Sequence, residues 1–409
     1  MSRPDLALVV NAGSSSLKFS VLPIGEGAAL TSGVVERIGQ PEGRLTIKIN
    51  GDKTFEDLPH VDHAQALAAV LRRLDAMGLL TRVAVVGHRI AHGGERFSAS
   101  TLVTPETLAV CEKLSDLAPL HNPPQVDCLR ACIAQMPALP QVLVFDTAFH
   151  QTMPKAAFAY ATPQRWYRDY GLRRYGFHGT SHRYVAGRTV ELLGLDPLDH
   201  GVVIAHLGNG SSATAVRNGA SVDTTMGMTP LEGLVMGTRS GDIDPGALGY
   251  IARRAGLDLA GVEAALNKES GLLGLSELSS DCRNLEVAAD EGHEGARLAL
   301  DVFVHRLARH VGGLATSLTR FDALVFTGGI GENSARVRAA TLARLKVFGF
   351  TLDEAANAAT VGGKEGRISQ TAGPIALVVP TDEETMIARD AARLAGLTAD
   401  APAAPRNAS

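Results

Sequence analysis

The chain lacks most of the features that would place it outside the cytosol or on a polyanion. Only four cysteines occur in 409 residues, and of Cys111, Cys128, Cys132 and Cys282 only Cys128 and Cys132 stand close, four apart in a segment with helical patterning. A disulfide framework would be denser, and no second Cys/His pair completes a zinc pattern, so reduced thiols in a cytoplasmic protein are expected. Nowhere do 18 apolar residues run together, and the early run at 6–10 is too short for a signal-peptide core. No membrane partner is expected. Charge of one sign is missing as well: 39 basic against 43 acidic residues leave −4, with no basic run longer than two, which gives no electrostatic ground for nucleic acid. Neither GxGxxG nor GxxxxGK[ST] occurs, so neither the dinucleotide fingerprint nor the Walker loop applies.

What the chain has is a stretch used twice. Residues 8–21 read LVVNAGSSSLKFSV and residues 203–216 read VIAHLGNGSSATAV. A shift of 195 sets Gly13 over Gly208, Ser16 over Ser211 and Val21 over Val216. Each copy reads as strand, tight turn, strand. Glycine lets such a turn approach a ligand closely, and successive small residues turn amide and hydroxyl donors towards it, which suits a phosphate. Either copy alone is equally an ordinary hairpin with a serine-rich turn. The offset, close to half of the 409 residues, argues for duplication, and the length for two domains.

Between the copies, apolar strands alternate with helices. Asp62 caps a helix that Gly78 ends, Thr104–Pro105 opens another, and the strands at 82–90 and 141–146 are buried. The pattern argues an α/β domain with a partly parallel sheet. Arg89, His92 and Asp146 fall at or just past strand ends, where open α/β sheets collect ligands. Residues 175–182, YGFHGTSH, are expected to present His178 on a loop before a helix capped at Thr180 or Ser181. The His178–His182 spacing also admits a metal, although Gly179 stands where a zinc protease needs glutamate.

After the second hairpin, residues 223–245 form a glycine-rich loop with a single cation, Arg239, among several acids. It reads as an anion clamp; the plainer alternative pairs Arg239 with Asp242 or Asp244. A second loop is expected at 269–283. A long helix follows, with His305 and His310 off its apolar stripe and read as solvated. Residues 321–333, FDALVFTGGIGEN, read as strand and glycine-rich turn before a helix from Ser334. A last strand at 375–380 meets TDEE and a closing helix. The tail after Thr398 is expected to be disordered.

NAGSSSLKF, GHRIAHGG, FDTAFH, FHGTSH, HLGNGSS, DTTMGMTPLEG…GTRSGDIDP and FTGGIGEN, in that order from residue 11 onward, together resemble the acetokinase family, the acetate kinases of the acetate and sugar kinase, chaperone and actin superfamily. The resemblance implies two duplicated α/β domains with a ribonuclease H-like, actin-like core closing on ATP: one of 1–150 with 386–409, the other of 151–385, in a homodimer. It implies reversible phosphoryl transfer between ATP and acetate, giving ADP and acetyl phosphate with Mg²⁺, or Mn²⁺ in its place. By motif, Asn11 and Glu383 would serve the metal and Lys18 the nucleotide phosphates. Arg89, Ala91 and Leu120 would bind the carboxylic acid. Asp146, His178, Arg239 and Arg89 would be catalytic. His206, Leu207, Gly208, Asn209 and Gly210, with Asp281, Cys282 and Arg283 and with Gly329, Ile330, Gly331, Glu332 and Asn333, would form the nucleotide site. A phosphoryl group in flight spreads charge over its equatorial oxygens, and positioned cations answer that. Acetate needs no general base at neutral pH, so the role of Asp146 stays open between proton donor and orienter of Arg89 or the metal.

Three positions depart from the family pattern. Ala91 replaces a larger valine of the methyl pocket, Asp382 an asparagine beside the metal carboxylate, and Cys282 a larger side chain at the adenine. Two methyl groups fewer in the pocket wall count for roughly 1–3 kcal/mol of selectivity, which makes a propionate kinase the nearest alternative. A non-catalytic nucleotide sensor and a zinc hydrolase built on His178 and His182 are the others.

Overall fold

The computed structural model describes residues 4–25, 27–119, 121–370 and 373–398; Leu120 and the tail from 399 lie outside the described residues. By their contacts the residues form two compact units, Met1–Ala148 with Asp382–Ser409, and Phe149–Thr381.

The first unit holds β1 (Leu6–Ala12), β2 (Ser16–Pro23), β3 (Thr31–Glu36), β4 (Arg44–Ile49), β5 (Asp52–Asp57), β6 (Val83–Ile90), β7 (Thr101–Leu102) and β8 (Gln141–Phe145) in the order β5-β4-β3-β2-β1-β6-β8-β7. The second holds β9 (Gly201–Leu207), β10 (Ser211–Arg217), β11 (Ala220–Thr224), β12 (Ala323–Thr327), β13 (Gly366–Arg367) and β14 (Ile375–Val378) in the order β11-β10-β9-β12-β14-β13. The cores β3-β2-β1-β6-β8 and β11-β10-β9-β12-β14 have the same pairing, antiparallel through the first three strands and parallel through the rest. The 195-residue shift carries Leu6–Ala12 onto Gly201–Leu207 end to end. Both central strands are apolar almost throughout, as strands covered on both faces must be.

One face of the first sheet packs the helices His63–Ala76 and Asn122–Gln135. The other takes the helix Glu383–Leu394, whose Ile387, Ala388 and Ala391 bury Ala7, Val9, Val85, Val142 and Val144. Gly87 in β6 makes room for it: a Cβ there would sit 2.6 Å from Ile387 Cγ2. In the second unit the helix Gly179–Leu193 covers the equivalent positions, Val202 and Ile204, with Val185 and Ala186, while Glu294–Ala315 covers the opposite face. The chain returns to the first unit at Asp382 rather than at 386. Asp382 caps the helix it enters, accepting from the Thr385 amide at 2.9 Å, so cap and helix stay together.

Several local expectations change. Neither Thr180 nor Ser181 caps its helix; His178 does, with φ of +56° and no side-chain cap bond. Gly328–Asn333 is a short helix, not a turn. There Gly328, at φ +75°, turns the chain out of β12, and the Glu332 carboxylate accepts from its amide at 2.9 Å. The loop expected at 269–283 contains the helix Gly271–Ser276. His310 is not merely solvated, since its Nε2 lies 3.1 Å from Asp242 Oδ2.

Candidate active site

In the first unit the expected acyl and metal residues gather at strand ends. Arg89 and Ala91 lie at the end of β6, and Asp146 follows β8, its amide donating to Ile90 O at 2.9 Å. The Arg89 guanidinium forks onto the carboxylate of Asp146, Nε to Oδ1 at 2.9 Å and Nη2 to Oδ2 at 2.7 Å. Glu383, first residue of its helix, stands 3.7 Å from Arg89 Nε. Burial works to lower the Arg89 pKa, but the charges of Asp146 and Glu383 and the hydrogen bond to Asp146 hold it above its ordinary value. Burial also raises Glu383; Arg89 and Lys18 pull it down, Asp146 and Glu384 push it up, and the balance is upward.

Asn11 and Lys18 face one another across the first hairpin. The charges of Arg89, Asp146, Glu384 and Lys18 thus all act on Glu383, and Arg89 contacts both Asp146 and Glu383 directly. The donor set of an amide oxygen and a carboxylate is hard and incomplete. That fits Mg²⁺, which keeps several waters and takes few protein ligands. Among the described residues no three His, Cys, Asp or Glu converge to cage a metal. Ala91 is nearly buried, with its amide donating to Gln125 Oε1 at 2.8 Å.

In the second unit the residues expected to bind nucleotide separate into two sets. Gly208, Asn209, Asp281, Cys282, Arg283, Gly329, Ile330 and Asn333 line an open pocket of about 430 Å³. His206, Leu207, Gly210, Gly331 and Glu332 do not line it. Leu207 and Gly331 are buried in the core beneath, and Glu332 is occupied in bonding the amides of Gly328 and Thr381. Sequence reasoning missed three lining residues, Ser280, Glu286 and Ser334. Glu286 was legible in principle, because it lies four residues beyond Cys282 on a helix that Asp281 caps. Burial above all pushes the Cys282 thiol up to about 12, so it enters the pocket as a small neutral side chain.

His178 and Arg239 meet above the second hairpin. A Cβ on Gly210 would stand 3.5 Å from both His178 Nε2 and Arg239 Nη1, so the two groups flank one small space. Arg239 is largely buried and burial lowers its pKa. It pairs with neither Asp242 nor Asp244; among the described residues the one hydrogen-bonding contact of its guanidinium is Met236 Sδ at 3.9 Å. Asp242 instead bonds the Gly233 amide and His310. A guanidinium buried without its anion is costly unless an anion arrives. His178 and His182 do not converge on an ion site: His178 Nδ1 and His182 Nε2 both turn to the Ser212 hydroxyl, at 3.0 and 2.7 Å. Among the described residues no helix is long and apolar enough to cross a membrane.

Residues 6–389 match the model of the acetokinase family. An acetate kinase of Deinococcus radiodurans is 54% identical over 95% of this chain and 98% of its own. A propionate kinase of Yersinia enterocolitica is 52% identical over 96% and 97%. The crystal structure of Porphyromonas gingivalis acetate kinase superposes with a TM-score of 0.91 at 42% identity, covering 95% of this chain and 99% of the other. The family match over residues 6–389 and relatives more than 50% identical over nearly the whole chain show that the chain belongs to the acetokinase family.

Proposed function

We propose that this chain is a cytoplasmic enzyme that reversibly transfers the γ-phosphoryl group of ATP to acetate, giving ADP and acetyl phosphate. The observation that carries the reading is the pairing of His178 Nε2 with Arg239 Nη1 around one space, the arginine having no anion of its own. A transferring phosphoryl group supplies that anion, and the fixed guanidinium and imidazole donors answer the charge it spreads.

The other roles follow from the chemistry of each group. Arg89, aligned by Asp146, receives the acid's carboxylate on its remaining donors, so we assign Asp146 to orienting Arg89 rather than to proton transfer. Acetate arrives already ionised. Asn11 and Glu383 would hold Mg²⁺, or Mn²⁺, which when bound neutralises phosphate charge; Lys18 adds a cation. The pocket lined by Gly208, Asn209, Asp281, Cys282, Arg283, Gly329, Ile330 and Asn333 takes the nucleotide. Leu207 and Gly331, buried in the core, and Glu332, bonded to the amides of Gly328 and Thr381, support it. A homodimer is the proposed assembly: the helix Pro245–Ala255 has no buried residue, and Tyr250, Ile251 and nearby Leu259 are exposed.

A second reading, propionate as the acyl substrate, rests on Ala91, whose small side chain leaves a wider methyl pocket. Trapping acyl phosphate as the hydroxamate, with ATP, Mg²⁺ and either acid, tests both readings. Product with acetate at the higher kcat/KM is expected. A clear propionate preference would install the second reading, and no product with either acid, in protein that binds ATP, would overturn the kinase.

A further inference from the structure

Ser212 closes the HLGNGSS stretch, and no role has been given to it. It is fully buried in β10, and its single hydroxyl lies 3.0 Å from His178 Nδ1 and 2.7 Å from His182 Nε2. A hydroxyl has one proton to give, so these three groups can share hydrogens in only a few ways.

His182 decides among them. Its ring is wholly buried and its Nδ1 has no hydrogen-bond partner among the described residues. Burial first, then the neighbouring rings of His150 and His206, hold its pKa well below the ordinary value, so the ring is neutral and carries one proton. Placed on Nδ1, that proton would make an orphaned buried N–H, which folded proteins almost never tolerate; placed on Nε2, it leaves only a lone pair unmatched. Nε2–H then donates to Ser212 Oγ. If His178 Nδ1–H donated there as well, the Ser212 proton would have no acceptor among the described residues. The arrangement that wastes no donor runs from His182 Nε2–H to Ser212 Oγ–H to His178 Nδ1. His178 must then carry its own proton on Nε2, the atom facing the space shared with Arg239.

We propose that Ser212 and His182 are positioning residues that lock His178 as a neutral imidazole with its Nε2–H aimed at the transferring phosphoryl group. The identity of that target rests on the proposed kinase reading; the hydrogen-bond chain does not. The left-handed φ of His178 and its ring stacked on His206 at 4.3 Å, 26° from parallel, fix the ring plane as well. The chain of hydrogen bonds fixes what the ring donates.

The test is a two-bond ¹H–¹⁵N correlation spectrum of the full-length protein labelled at histidine, with His178 assigned by His178→Gln. The wild type should show His178 protonated at Nε2 and bare at Nδ1, and His182 likewise. In Ser212→Ala the His178 signals should move to a mixture of tautomers, with kcat falling roughly 10-fold or more and KM for ATP moving less than about threefold, as expected when a charge-stabilising donor is misaimed. If Ser212→Ala fails to fold, His182→Gln keeps a donor near the ε position and should preserve the His178 tautomer, whereas His182→Leu should not. A wild-type His178 protonated at Nδ1, or a tautomer unmoved by Ser212→Ala, would overturn the proposal. Absence of acyl phosphate would sink the kinase reading and leave the spectrum still to decide the hydrogen-bond chain.

Discussion

At the scale of single residues, the account turns on which charges are already answered. Arg89 is neutralised twice over, and Arg239 meets no carboxylate among the described residues, so the two should respond differently to substitution. Arg239→Ala should lower acyl phosphate formation by roughly 10³-fold or more, the range in which a transition-state arginine acts, while ADP binding, measured by calorimetry, stays within about threefold. Arg239→Lys should recover little, because a point charge cannot reproduce the planar fork. Asp146 separates two roles. If it orients Arg89, Asp146→Asn keeps one acceptor and should retain more kcat/KM for acetate than Asp146→Ala, which should lose roughly 10²-fold. Equal loss in both variants would favour proton donation instead. Ala91→Val should restore the narrower pocket wall and reduce kcat/KM for propionate relative to acetate by roughly 10-fold.

The scale of elements shows what the sequence could and could not disclose. Asp62, Thr104 and Ser334 were legible as caps, because a cap is a local bond between a side chain and an amide two or three residues on. The helix Gly328–Asn333 was not, since three glycines in six residues deny it any propensity and its support comes from Glu332 and Thr381. Nor was β5, whose DKTFED presents no buried alternation and forms by pairing with β4 at the sheet edge. The partner of Asp242 was hidden for a different reason: it comes from His310, far along the chain on another helix. That pair has a pH consequence. Burial works to raise Asp242, but the bonds and charge of His310 and the Gly233 amide win, and its folded pKa lies below its unfolded one. Its contribution is therefore complete above the unfolded value of about 4 and fades as pH falls through the lower folded value. Asp242→Asn should lower Tm at pH 7, by an amount that shrinks as the pH is taken from about 5 towards 3. A constant difference across that range would mean that the charge is irrelevant to holding the Arg239 loop.

On the scale of the whole molecule, duplication was visible in three matched residues and is confirmed by strand order and strand direction in two sheets, although the first hairpin pairs Ala12 with Leu17 and the second pairs Leu207 with Ser211, one residue out of step. The destination of the last helix came from the family resemblance, which set 386–409 with 1–150; periodicity alone does not give it, because a helix that follows β14 in the chain could as well cover the second sheet. Its Ile387, Ala388 and Ala391 instead complete the first unit's core. Ile387→Ala should therefore cost roughly 2–5 kcal/mol, the range for truncating a buried branched side chain, read as an earlier urea transition. A chain ending at Thr381 should lose the first unit's fold, with Ala7, Val9, Val85, Val142 and Val144 laid open.

The most direct test of the central claim is ³¹P NMR of the purified protein with ATP, Mg²⁺ and acetate, followed by the same protein with ADP and acetyl phosphate. The account predicts acetyl phosphate and ADP growing together in the first mixture, ATP appearing in the second, and neither change with Arg239→Ala. ATP consumed to ADP and inorganic phosphate without an acyl phosphate signal, or ATP untouched by protein that binds it, would contradict phosphoryl transfer to a carboxylate at this site.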